Sequence, residues 1–230
     1  MIRHLLASAA LLVLAAAGSA HAASFTYSLD ISVNGAAPLG LATATIADAG
    51  ANTVQITMDL TGMPTGQFVD SWLFNFDGTQ SALNALTFTY NAGLSTGASA
   101  GTPGTTLNAY GNNNTSGFGN NSSGLMDIYF NFPTPQGNRF NGGEKVVYDV
   151  TGTGVTASMF NVTSAPNYNA NGPYYTAAHI AGIADGSSTT SGAIGANSVG
   201  SVPEPASVVL GLMGAMGIGA IAFRRRHATI

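Results

Sequence analysis

Phe25-Thr26-Tyr27-Ser28-Leu29-Asp30-Ile31-Ser32-Val33 alternates large apolar residues with small polar ones, and that period of two decides the fold class. Successive side chains of a strand point to opposite faces, so such a run lays one face on a core and turns the other to water. The pattern recurs along the chain. Val54, Ile56, Met58 and Leu60 alternate with Gln55, Thr57 and Asp59. Trp72, Phe74 and Phe76 form an aromatic strand that stops at the turn pair Asp77-Gly78. Leu86, Phe88 and Tyr90 follow, then Met126, Ile128, Phe130 and Phe132, then Val146, Tyr148 and Val150. Fainter runs at 39–46 and 155–162 bring the expectation to about eight or nine strands. No stretch inside the chain shows a long helical period. The expected fold is all-β: a single β-sandwich, jelly-roll-like, with turns rich in Gly, Asn and Pro.

The two ends read differently. Arg3 precedes an apolar run over 5–17, about 13 residues, which matches the core of a secretory signal and is short for a membrane span. Ala20-His21-Ala22 is a small-x-small site, and cleavage by signal peptidase is expected after Ala22. Near the other end, 206–223 carries no charge and no polar face, and at about 1.5 Å per residue it reaches about 27 Å, enough for a bilayer core. Arg224, Arg225 and Arg226 follow it as a stop-transfer cluster that stays cytoplasmic. The domains expected are therefore a signal peptide with its helix at 1–22, an ectodomain at 23–185, a flexible linker at 186–201, and a tail at 202–230 with a transmembrane helix at 206–223. The linker expectation rests on the Ser, Thr, Gly and Ala that fill 186–200.

Val202-Pro203-Glu204-Pro205-Ala206-Ser207 stands directly before the apolar run, and the basic cluster closes the chain. That order resembles the PEP-CTERM sorting signal of exported proteins of Gram-negative bacteria. The resemblance implies recognition of Pro203, Glu204 and Pro205 by an exosortase, a membrane-embedded cysteine transpeptidase. The apolar segment is then removed as the protein passes from a membrane-anchored precursor to the cell surface or matrix. Two prolines disfavour helix before each of them and leave an extended strip that a protease can grip. The segments 67–77 and 177–183 resemble parts of uncharacterised PEP-CTERM ectodomains. There the usual Ser-Gly-Trp-Ile-Gly is replaced by Ser191-Gly192-Ala193-Ile194-Gly195.

Composition narrows the function. The chain has no cysteine, so it offers neither a disulfide framework nor a thiol nucleophile. Between the terminal segments Arg139 and Lys145 face Asp30, Asp48, Asp59, Asp70, Asp77, Asp127, Glu144, Asp149 and Asp185. Two isolated cations cannot form the clustered basic patch that nucleic acid requires. His179 is the one histidine of the expected ectodomain, and no Gly-x-Ser-x-Gly elbow accompanies it, so neither a triad nor a histidine zinc centre is expected. Calcium is the one cofactor the oxygen-rich composition admits, without an Asp-x-Asp-x-Asp-Gly loop to hold it. The polar stretch 108–124 is long for a loop in a compact domain and is read as a ligand-contact loop carrying Tyr110 and Phe118, or as a tolerated insertion. Trp72 is a stacking platform for sugar or a core residue.

The expected function is a non-enzymatic surface or extracellular-matrix protein associated with exopolysaccharide and biofilm. The alternatives are a carbohydrate-binding module and a secreted hydrolase using a carboxylate pair such as Asp70 and Asp77.

Overall fold

The computed structural model describes residues 22–35, 38–97, 100–111, 118, 123–185 and 188–200. Ala22–Ser201 forms one compact unit. The signal segment with Ala20, the tail with Pro203, Glu204 and Pro205, the apolar run 206–223 and Arg224, Arg225 and Arg226 lie outside the described residues.

Thirteen strands are described where about eight or nine were expected. They are β1 Ser24–Ser28, β2 Ile31–Gly35, β3 Thr43–Gly50, β4 Thr53–Asp59, β5 Phe68–Phe74, β6 Thr87–Tyr90 and β7 Thr102–Tyr110. After them come β8 Ser123–Asn131, β9 Phe140–Asn141, β10 Lys145–Thr151, β11 Ala165–Tyr168, β12 Thr176–Asp185 and β13 Ser188–Ala196. One sheet runs β1-β3-β4-β10-β6; the other runs β11-β8-β5-β12-β13-β2, with β7 on β8 and β9 on β5. The strand pairs are antiparallel.

The run from Phe25 to Val33 is two strands rather than one. β1 pairs with β3 in the first sheet and β2 with β13 in the second. The chain changes sheets at Leu29-Asp30, where Leu29 N–H donates to Ala42 O at 3.0 Å and Leu29 O accepts from Gly40 at 2.9 Å. Alternation continues across the break because both halves have one face to bury, so periodicity alone could not reveal it.

Both sheets contribute to one buried cluster, with Ile46, Ile56, Met58 and Tyr148 from one side and Trp72, Phe74, Ile128, Phe130 and Ile180 from the other. Phe130 bridges the sheets, its ring 4.7 Å from Tyr148 and 5.7 Å from Phe88. Each such side chain contributes about 1.5–3 kcal/mol on burial, so this seam dominates the stability of the domain. A smaller cluster of Val33, Leu73, Phe118, Met126, Tyr174, Ala177 and Ala193 lies apart from it.

Two sequence expectations need correction. Within the linker expected at 186–201, Ser188–Ala196 is a strand: β13 is hydrogen-bonded to β12 on one side and β2 on the other. Its small residues are a packing requirement, since a Cβ at Gly195 would stand 2.6 Å from the Tyr174 ring and 3.1 Å from Val33 Cγ2. The faint run at 155–162 is a 3₁₀ turn, Ala157–Phe160, whose Phe160 ring meets Phe76 edge-on at 5.4 Å. The described helix, α1 (Gln80–Asn84), is capped by Thr79, whose side chain accepts from Ala82 N at 3.2 Å.

Candidate functional site

The domain's two ends converge on β1. Ala23 N–H donates to Asp48 Oδ2 at 2.8 Å, and Asp48 N–H returns a bond to Ala23 O at 2.8 Å. The other carboxylate oxygen, Oδ1, accepts from Ala157 N at 2.7 Å, so Asp48 ties β1 to the 3₁₀ turn. At the far end, Gly200 N–H donates to Thr26 O at 2.7 Å and forms an antiparallel bridge with that residue. Val199 packs against the main core. Ala22, the residue before the expected signal cut, is exposed.

The three ligand-contact expectations fare differently. Trp72 is fully buried. Its Nε1–H donates to Thr176 Oγ1 at 2.8 Å, and that hydroxyl donates to Leu73 O at 2.7 Å. It is a core residue and no sugar platform, because β5 lies centrally in its sheet and is covered on both faces. Phe118 is also buried, at 1 % exposure, which removes it from a loop tip. A lone aromatic in a stretch of Asn, Ser and Gly gains most by leaving water, and it settles among Leu73, Met126 and Ala193. Tyr110 ends β7 half-buried and stacks on Tyr129 with ring centroids 5.4 Å apart. Much of 108–124 lies outside the described residues.

Three polar side chains that looked unrelated in sequence meet on β5 and β12. The β5–β12 register shifts at His179/Ile180: Ser71 faces His179 and Val69 faces Ile180, leaving Asp70 as the extra residue. This bulge places Asp70 beside the imidazole, whose Nδ1 lies 2.9 Å from each carboxylate oxygen. Ser71 Oγ donates to Asp70 Oδ1 at 2.9 Å. The order is serine to carboxylate to histidine, so the carboxylate receives the hydroxyl proton, and Ser71 is 1 % exposed. A nucleophile needs its hydroxyl on the imidazole and open to substrate. The bulge is what sequence reading lacked, since β-bulges carry no signature in a run such as Val69-Asp70-Ser71-Trp72.

Two hollows are described. The larger, about 540 Å³, is bounded by α1 and the end of β10; Thr79, Ser81, Thr87 and Thr151 line it beside Leu86 and Met159, and none of its lining residues is charged. The smaller, about 220 Å³, holds Asp77 and Asp127. Burial pushes the Asp127 carboxyl above the usual range, opposed by the two backbone N–H groups that donate to it: Asn108 to Oδ1 at 2.7 Å and Phe76 to Oδ2 at 2.8 Å. Asn108 takes a left-handed φ of 52°, which asparagine tolerates, at a point where the β7–β8 register shifts. Asp127 thus clips the end of β5 to the kink in β7. Among the described residues no group of three or more His, Asp or Glu is placed to hold a metal ion. Of the two ectodomain cations, Arg139 lies 4.0 Å over the Phe68 ring, while Lys145 opens β10 opposite Asp59.

The last described pairing of this all-β domain, at Gly200, stands directly before the Pro-Glu-Pro segment. The chain matches the family model of the PEP-CTERM protein-sorting motif over residues 201–226, and so carries that sorting motif. The motif implies processing by exosortase, a membrane-anchored precursor and delivery to the cell surface. No curated protein and no solved structure matches the chain.

Proposed function

We propose that this is a non-enzymatic surface or matrix protein, associated with exopolysaccharide and biofilm, whose jelly-roll-like sandwich is released from its anchor through Pro203, Glu204 and Pro205. The observation that carries the reading is the position of the motif, whose match begins at residue 201, one residue after the Gly200–Thr26 bridge. Folding and sorting information are thereby adjacent but separate in the chain. The commitment of the Asp127 oxygens to backbone donors and the burial of Ser71 support a structural role for the polar clusters. Intact mass and cell fractionation of the native protein beside Glu204→Ala test it. The wild type should lose the residues after the Pro-Glu-Pro triplet and leave the inner membrane, while the variant stays there uncut. Both remaining full-length in the inner membrane would reduce the tail to a plain anchor.

The hollow beside α1 favours carbohydrate binding as a second reading. Hydroxyl groups over an apolar floor, with no charge, suit a neutral sugar, and the volume falls in the ordinary range for small ligands. Retention on purified exopolysaccharide should drop when Thr87→Arg, an exposed substitution at the rim, puts a charge there. Equal retention of both proteins would remove the hollow as the binding site.

A further inference from the structure

We infer that Asp48 is an ammonium-binding site for the N-terminus that signal cleavage creates, so that removing the signal peptide locks the first strand of the mature protein in place. The inference rests on the reading of Ala20-His21-Ala22 as the cleavage site, which makes Ala23 the first mature residue. It is the nitrogen of Ala23 that lies 2.8 Å from Asp48 Oδ2. In the precursor that nitrogen is an amide carrying one hydrogen and no charge. Hydrolysis adds water across the Ala22–Ala23 bond: the C–N bond breaks, Ala22 leaves with the carboxylate, and the Ala23 nitrogen takes up protons as an ammonium. An ordinary hydrogen bond then becomes a charge-assisted ion pair at the same distance.

The surroundings make this a built site rather than a chance contact. The reciprocal bond from Asp48 N to Ala23 O fixes the residue's backbone, and Ala157 N–H holds the second carboxylate oxygen. The carboxylate therefore cannot swing away to solvent without giving up the 3₁₀ turn. Asp48 is half-buried, and Ala23 packs against the main core. Arg139 is held elsewhere, its guanidinium over the Phe68 ring and its Nε donating to Thr134 O, and Lys145, on β10, stands in register with Asp59 and not with Asp48.

The test compares four proteins expressed from the whole chain and purified in detergent after export: wild type and Asp48→Asn, each with the normal signal site and with Ala20→Leu, which leaves the signal uncut. N-terminal sequencing comes first, and a start other than Ala23 in the cut proteins sinks the cleavage reading and this inference with it. With Ala23 confirmed, cutting should raise the melting temperature by about 3–6 °C when Asp48 is present and by under about 1 °C in Asp48→Asn. Equal melting of cut and uncut wild type overturns the inference, as does an equal loss in both Asp48→Asn proteins, which would make Asp48 a structural acceptor only. A measurement on unmutated protein guards against a variant that fails to fold. Lys145 is the sole lysine, so the mature chain has two amines to acylate. In the folded wild type the Ala23 amine should react about tenfold more slowly than in the urea-unfolded chain. Reaction at the unfolded rate means the amine is free, and the inference fails.

Discussion

Asp127 carries the clearest chemical signature of any single residue. Its carboxyl is raised by burial, so between the ordinary aspartate value near 4 and its own folded value the native state holds more protons than the unfolded chain. Stability therefore falls as pH rises through that window and stays level above it. Asp127→Asn should flatten this part of the pH profile. It should also cost about 1–3 kcal/mol at neutral pH, because an amide offers one acceptor where Phe76 and Asn108 both donate. Urea unfolding at several pH values for both proteins checks the two effects together. Tyr148 shows the same sign at the alkaline end: burial pushes its hydroxyl up to about 12 while it donates to Gly101 O at 2.6 Å. Stability is full below about pH 10, where an unfolded tyrosine starts to ionise, and declines from there to about pH 12. Absorbance of tyrosinate should show a set of tyrosines that ionises only with unfolding, and Tyr148→Phe should remove one from that set. Individual residues were only partly legible. The alternation placed Phe74 and Phe130 on a buried face and left Trp72 between core and platform, and it was silent on Trp72 meeting Thr176 or Asp70 meeting His179, contacts that span more than a hundred residues of chain.

At the level of elements, bulges and small residues decide more than propensity does. The β12–β13 register shifts between Ala181 and Ile183, and the intervening Gly182 has φ +73°, with Gly66 O and the Phe68 ring standing where a Cβ would go. A side chain there is strained and has no room, so Gly182→Ala should destabilise the domain by about 1–3 kcal/mol, read from the denaturant midpoint. β13 makes the sharper test, since a chain ending after Asp185 loses the strand that joins β12 to β2. If 186–201 were a tether, such a truncation would leave unfolding unchanged; with β13 in the sheet it should abolish the cooperative transition. The strands β4, β5, β6, β8 and β10 were readable because each has one wet face or a strong aromatic run. β13 was not, because its neighbours Tyr174 and Val33 demand glycine and alanine, the same residues that fill linkers. At Ala193 the chain buries a small residue in the cluster that also takes Phe118.

For the molecule as a whole, the shared core predicts a single cooperative unfolding transition followed alike by tryptophan fluorescence and far-ultraviolet circular dichroism, since Trp72 sits where the two sheets meet. Two separated transitions would mean that the sheets fold independently. The sequence by itself determined the class of the fold and displayed the sorting motif. Period-two alternation is a local consequence of strand geometry, and export and sorting signals are read by other proteins as short linear stretches before any fold matters. Only the tertiary structure decided that one alternating run crosses between two sheets, that an apparent tether is an inner strand, that Phe118 and Trp72 are buried, and that Ala23 lies against Asp48. Those facts depend on which distant segments come together. That choice is made by packing and by the pairing of backbone hydrogen bonds across the whole chain, and no window of neighbouring residues contains it.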